Sequence, residues 1–226
     1  MVSVRNVLLS WSSGKDSTWA LHVLRRREDV RVVGLLTTIN QLADRVAMHA
    51  VRRTLLQAQA EAVGLPLWDV LLPSPCSNSD YERIMRGVCE EAVRRGINAI
   101  AFGDLFLAEV RRYRERQLET TGLEPLFPLW GLPTRSLASE MIASGLRARI
   151  TCIDPRVLPR SFAGREFDER FLADLPANTD PCGENGEFHS FVYDAPVFRE
   201  PLVICAGEIV ERDGFVFADF SKTAKP

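Results

Sequence analysis

Lysine is almost absent from this chain. It stands at positions 15, 222 and 225 only, and arginine carries nearly all the positive charge. Long apolar runs are also missing. None approaches the roughly 18 residues that a membrane-crossing helix needs. The N-terminal stretch MVSVRNVLL has one arginine, a short apolar run and no small-residue cleavage site, so it does not read as a signal peptide. No CxxC pair occurs among Cys76, Cys89, Cys152, Cys182 and Cys205. That excludes a zinc ribbon and a thioredoxin-like redox pair, and an odd set of scattered thiols fits a reduced, cytoplasmic protein. A basic excess is lacking as well. The net charge of −2 argues against a dedicated nucleic-acid binder. There is no internal repeat and no low-complexity segment.

What is present suits a globular chain of one or two domains. At 226 residues and 46% hydrophobic, it can bury a sizeable core. Short apolar runs at 4–11, 30–37, 67–72 and 98–102 read as buried strands. Between them lie helical patterns at 17–27, 45–63, 79–95 and 107–121, the third with Ser79 as N-cap and Glu82 three residues on. Strands without alternation, separated by helices, predict a parallel sheet covered on both faces. Ligands of such sheets sit beyond the carboxyl ends of the strands. Three such ends, Ser10–Ser12, Thr37–Thr38 and Gly103–Asp104, are therefore expected to meet in one crevice.

After about residue 125 the texture changes. Prolines punctuate a loop-rich region around one helix at 136–144, followed by strand-like runs at 148–153, 188–193, 202–210 and 215–220. Arg212-Asp213-Gly214 is a hairpin signal. This predicts a nucleotide-binding α/β domain over 1–125, a smaller α+β substrate domain over 126–221, and a frayed tail over 222–226.

The stretch LLSWSSGKDSTWAL, at 8–21, is the most informative. A strand running through a glycine turn into a helix is an anion site, because free backbone N–H groups and the helix dipole face the ligand. Ser12, Ser13 and Gly14 are small, Lys15 is a cation, and Ser17 adds a hydroxyl. The Walker A spacing fails, since Leu9 stands where its first glycine belongs and Asp16 follows the lysine. A carboxylate beside phosphates calls for an intervening Mg²⁺, which Asp16 would meet. The bland alternative is an ordinary helix start capped by Asp16 and Ser17.

Ser12-Ser13-Gly14-Lys15-Asp16-Ser17 resembles the PP-loop, SGGxDS, of the N-type ATP pyrophosphatases, with Ser13 in place of the first glycine. Gly103-Asp104-Leu105-Phe106-Leu107, Tyr113-Arg114-Glu115 and the run from Gly183-Glu184-Asn185-Gly186-Glu187-Phe188-His189 to Phe198 extend the match. Together they resemble the diphthine–ammonia ligase family and its bacterial relatives over nearly the whole chain. Asn185 and His189 depart from the diphthamide-making branch, which more often has Gly and Glu there, and look more like the bacterial branch.

The resemblance implies an adenine nucleotide alpha hydrolase-like (HUP, Rossmann-like) fold. It implies an AMP-forming ligase that uses ATP and Mg²⁺ to adenylate a carboxylate for attack by ammonia or an amine. By the same route Ser12, Ser13, Gly14, Lys15, Asp16 and Ser17 would hold phosphates, and Thr37, Thr38 and Gly103 would lie near the nucleotide. Lys15, Asp16, Asp104, Glu184, Glu187 and His189 become catalytic candidates, and His49, Arg114 and Asn185 substrate contacts. The acceptor, small molecule or protein, stays open. So does oligomeric state, with a homodimer among the options. Two competing readings are a sulfur-transfer PP-loop enzyme, suggested by Cys182-Gly183-Glu184, and an ATP sensor without turnover, which would leave the carboxylate loop at 184–189 unexplained.

Overall fold

Strand and helix alternate through the first half of the computed structural model, which describes residues 4–46 and 51–223. The elements are β1 (Arg5–Ser10), α1 (Lys15–Leu24), β2 (Val30–Asn40), β3 (Arg45–Val46), α2 (Arg53–Val63), β4 (Leu67–Leu72), α3 (Asn78–Arg94), β5 (Ala99–Ala101), α4 (Ala108–Leu118) and β6 (Glu124–Leu126). β4, β2, β1, β5 and β6 lie in that order and run parallel. Val7, Leu8 and Leu9 of β1 are fully buried, as an unalternating apolar run between two helix layers requires. The chain steps outward from β1 to β2 and β4, then returns to the other side of β1 with β5. The crossover between β1 and β5 is where such a sheet opens a ligand crevice.

The expected helix over 45–63 begins only at Arg53. Before it, Asn40 Oδ1 accepts from the N–H groups of Leu42 and Ala43, and Asp44 takes a φ of 49°. That side-chain turn reverses the chain, so Arg45–Val46 pairs antiparallel with Ile39 and Asn40, and Val46 N–H donates to Val51 O. α2 ends as anticipated at Gly64, whose φ of 69° closes it in the left-handed conformation. α3 is capped by Ser77, not Ser79. Ser77 Oγ accepts from Asp80 N–H at 3.1 Å and donates to Asp80 Oδ2 at 2.6 Å, so the Asp80 carboxylate holds the capping hydroxyl in place.

The second half contains α5 (Thr134–Ala143), β7 (Arg147–Ile153), a 3-10 turn at Arg160–Phe162, α6 (Glu169–Asp174), β8 (Phe188–Asp194), β9 (Ile204–Arg212) and β10 (Phe215–Lys222). Its antiparallel sheet runs β8-β7-β10-β9. Asp213 and Gly214 both take positive φ, 53° and 79°, which is the type I′ hairpin that the sequence signals. Of the anticipated frayed tail over 222–226, residues 222 and 223 are paired, and 224–226 lie outside the described residues. Lys222 pairs with Ile204, and Thr223 N–H donates to Val203 O. α6 and β6 were not anticipated. Asp168 caps α6 through Phe171 N–H at 2.7 Å. One hydrophobic cluster joins the halves, from Leu9, Leu21 and Leu56 to Phe171, Phe188 and Phe191. The second sheet is thereby seated directly over the start of α1.

Candidate functional site

The loop that follows β1 packs against the second sheet. Ser13 is fully buried and sits at φ 70°, a conformation that glycine adopts freely and serine does not. Its carbonyl accepts from Val192 N–H of β8 at 3.0 Å and from Gln59 Nε2 of α2 at 3.0 Å. Those bonds hold a strained residue in place. Ser13→Gly is therefore expected to stabilise the protein by about 1 kcal/mol, read as a raised midpoint in thermal or urea unfolding.

Gly14 leads into α1 with extended backbone, and its carbonyl accepts from Ser17 Oγ at 3.0 Å and Thr18 Oγ1 at 2.9 Å. Ser12 Oγ lies 3.3 Å from both Gly14 N and Ser17 Oγ. The serine hydroxyls thus order the turn, and Ser12 remains part of the open crevice wall. Gly103 comes from the far side of the crossover. A Cβ there would lie 3.1 Å from Asp16 C and 3.2 Å from Ser17 N. Its missing side chain admits the start of α1, a packing role in place of the expected approach to ligand.

Lys15 departs most from expectation. Only 2% exposed, its ammonium packs against the second sheet. It pairs with Asp16 Oδ2 at 2.9 Å, donates to Cys182 O, and lies 5.1 Å from the Phe188 ring centroid. Its backbone N–H is taken by Ser190 Oγ at 3.2 Å. Burial works against its charge, but the carboxylates of Asp16 and Glu184 outweigh burial and hold its pKa above the ordinary lysine value. As placed, Lys15 fastens the loop to the segment around Cys182. It does not offer its ammonium to a phosphate in the crevice.

Three carboxyl groups gather beside it. Asp16 opens α1, Asp104 follows β5, and Glu184 hangs from the loop before β8. Asp16 Oδ1 and Asp104 Oδ2 are buried and lack a hydrogen-bond partner. Burial raises the pKa of Asp16 against the pull of Lys15, and raises that of Asp104 against the pull of Arg114. Arg114 Nε, also buried without a hydrogen bond, is 3.9 Å from Asp104 Oδ2, and the guanidinium covers the Phe102 ring at 5.0 Å. Glu184 Oε1 accepts from Leu105 N–H at 2.8 Å. Burial, with the nearby charges of Asp16 and Asp104, pushes its carboxyl up to about 7. A carboxylate titrating there can take and release a proton at neutral pH.

Glu187, its neighbour in sequence, does something else. Its Oε1 accepts from Asp180 N–H at 2.9 Å and Asn185 Nδ2 at 3.0 Å, and its Oε2 from Asn185 N–H at 3.0 Å. Buried and saturated, it shapes the loop. Glu187, expected to be catalytic, and Asn185, expected to touch substrate, bond each other within this loop. Asp180 Oδ2 completes the frame through the N–H groups of Cys182 and Glu184. At Gly183, φ is 69° and a Cβ would lie 2.8 Å from Phe188 O. Gly183→Ala is expected to cost about 2–4 kcal/mol in unfolding free energy and to disorder the loop that presents Glu184. His189 is held neutral, its pKa lowered to about 4 by burial and by Lys15. Cys182 is buried, its thiol pKa raised by that burial, with Sγ 3.4 Å from Thr134 O. That is the opposite of an activated thiol.

A cleft of about 840 Å³ opens at the carboxyl ends of β1 and β2. Ser10, Trp11, Ser12, Thr37, Thr38 and Arg114 line it, so two of the three anticipated strand ends share one wall, and Arg114 links it to Asp104. Thr37 spends its hydroxyl on Trp11 O at 2.6 Å. His49 lies outside the described residues. Gln59 and Ser190 were not anticipated. Gln59 was legible, as an amide on the apolar stripe of Leu55, Leu56, Ala60 and Val63. Ser190 carried no sequence signal.

A family model described as the diphthamide synthase N-terminal domain matches residues 5–125, and one described as the diphthamide synthase C-terminal domain matches residues 133–223. A diphthine–ammonia ligase of Bos taurus is 25% identical over 229 residues, covering 92% of this chain and 85% of the relative. The Homo sapiens diphthine–ammonia ligase gives the same identity and coverage. That of Danio rerio is 30% identical over 178 residues, covering 70% of this chain and 68% of the relative.

Proposed function

The chain belongs to the diphthamide synthase family, and from that premise we propose that it is an ATP-dependent, AMP-forming amide ligase. It joins ammonia, or an amine, to a carboxylate acceptor. The observation that carries this reading is Glu184, a carboxyl pushed up to about 7 beside two part-buried aspartates at the sheet crossover.

ATP lies in the cleft, its phosphates toward Ser12, Gly14 and the first turn of α1, where N–H groups and the helix dipole favour negative charge. The acceptor carboxylate attacks the α-phosphorus and pyrophosphate leaves. The nitrogen nucleophile then attacks the acyl carbonyl, Glu184 takes its proton, and AMP leaves. Lys15 holds Asp16 and the Cys182 carbonyl together, so that the loop and Glu184 keep their spacing. Arg114 steadies Asp104 at the cleft edge.

Mg²⁺ suits the residues present. Asp16 and Asp104 each carry a buried oxygen with no hydrogen-bond partner, and a negative phosphate beside them needs a cation between. Among the described residues no group of three His, Cys, Asp or Glu could hold a metal ion. A magnesium ion held by one or two carboxylates and the phosphates themselves needs no such group. It would neutralise charge on the departing pyrophosphate.

Five cysteines without disulfides suit a reducing, cytoplasmic setting, and no described helix is long and apolar enough to cross a membrane. The inert Cys182 disfavours sulfur transfer. Exchange of radiolabelled pyrophosphate into ATP tests the first half-reaction. The reading expects exchange that depends on an acceptor fraction from the source organism and needs no ammonia. Exchange that requires ammonia would contradict the order of steps.

A further inference from the structure

We infer that Gln59 is the positioning residue of the phosphate loop, acting through the peptide unit between Ser13 and Gly14. The inference rests on the placement of ATP phosphates at that loop. Gln59 is fully buried in α2, and both its amide N–H groups and its oxygen are hydrogen-bonded. Oε1 accepts from Trp11 Nε1 at 2.9 Å. Nε2 donates to Ser13 O at 3.0 Å and to Val192 O at 2.6 Å. One side chain therefore ties the end of β1, the loop and β8 of the second sheet.

The bond to Ser13 O has a geometric consequence. The carbonyl of Ser13 and the N–H of Gly14 belong to one planar, trans peptide and point in opposite directions. Pulling the carbonyl toward Gln59 and Val192 turns the Gly14 N–H the other way, to the side of Ser12 Oγ, where its present bond is a long 3.3 Å. The positive φ of Ser13 makes that orientation costly for the chain alone. Without Gln59, the Ser13 carbonyl keeps only its bond from Val192 N–H, and the peptide can turn so that the Gly14 N–H faces the phosphates less well. Trp11 Nε1 and Val192 O would also lose a partner in the interior.

The test is calorimetric binding of Mg-ATP, inorganic pyrophosphate and adenosine to the full-length protein. Gln59→Met keeps the length of the side chain and removes all three bonds. It is expected to weaken ATP and pyrophosphate by about tenfold or more, and adenosine by less than about twofold. Gln59→Glu supplies at most one proton where two carbonyls need donors, and falls between Gln59→Met and wild type. Met141→Ala empties a buried site in α5, away from the loop. It controls for lost stability and should bind ATP within about twofold of wild type. Should Gln59→Met fail to fold, Gln59→Glu carries the comparison. Unchanged pyrophosphate affinity in the folded variants overturns the inference. Wild-type protein that does not bind Mg-ATP overturns the functional reading beneath it.

Discussion

Glu184→Gln is expected to bind ATP as wild type does and to form amide product about 100-fold to 10,000-fold more slowly. Glutamine keeps the shape of the side chain and an oxygen for Leu105 N–H, so the loop stays in place. What it loses is the ability to accept a proton from the attacking nitrogen. The pH profile separates this role from a structural one. The Glu184 carboxyl is pushed up to about 7, mainly by burial. Its ionised form is the base, so wild-type rate should rise with pH through about 7 and then level off. The variant should lose that limb. Stability should move the opposite way. A carboxyl raised in the fold favours the folded state while protonated, and that contribution disappears as pH climbs from the ordinary carboxylate value through about 7. At pH 8, Glu184→Gln should therefore melt above wild type while remaining the slower catalyst. A variant that is both slow and unstable at pH 8 would point to disruption of the loop.

Replacing Asp16 with Asn should have a larger effect on ATP cleavage, about 1,000-fold or more, because the phosphate end of the site loses its nearest charge for a cation. It also removes the counter-ion of a lysine that is 2% exposed. Breaking such a pair leaves a buried charge, at a cost of about 1–3 kcal/mol once the partial exposure of Asp16 is considered. The two consequences separate in the double variant. Lys15→Met with Asp16→Asn removes both charges and should recover most of the stability lost by Asp16→Asn alone, yet none of the activity. Chemical denaturation and ATP turnover on the four proteins measure this directly. Recovery of turnover in the double variant would mean that Asp16 serves only to neutralise Lys15.

The first half of the fold was readable because its signals are local. The unbroken apolar run of β1 and the stop at Gly64-Leu65-Pro66 each act within a few residues, as does the Asp213-Gly214 turn in the second half. The segment over 45–52 misled because its helical look depends on Val46 and Val51. Both are buried, but Val46 belongs to β3, which the turn built by Asn40 and Asp44 sends back along β2, and its N–H donates to Val51 O. The strand, glycine turn and helix of the loop were recognisable. The loop's strain was signalled only by Ser13 standing where the resembling motif has glycine. The fate of Lys15 was hidden for a different reason. Its pocket is made by Phe167, Cys182 and Phe188, far along the chain and brought over α1 by the second sheet. Glu184 and Glu187 illustrate the limit most clearly. They share one loop and one chemistry. Only the folded turn around Gly183 decides that Glu187 binds its own backbone while Glu184 faces Asp16 and Asp104.

The central claim is that ATP is cut between its α- and β-phosphates to drive amide formation. The most direct measurement separates AMP from ADP after incubating the protein with Mg-ATP, ammonium and an extract of its own source, with Asp16→Ala protein as control. The account predicts AMP and pyrophosphate from the wild type alone. ADP as the sole nucleotide product would contradict it.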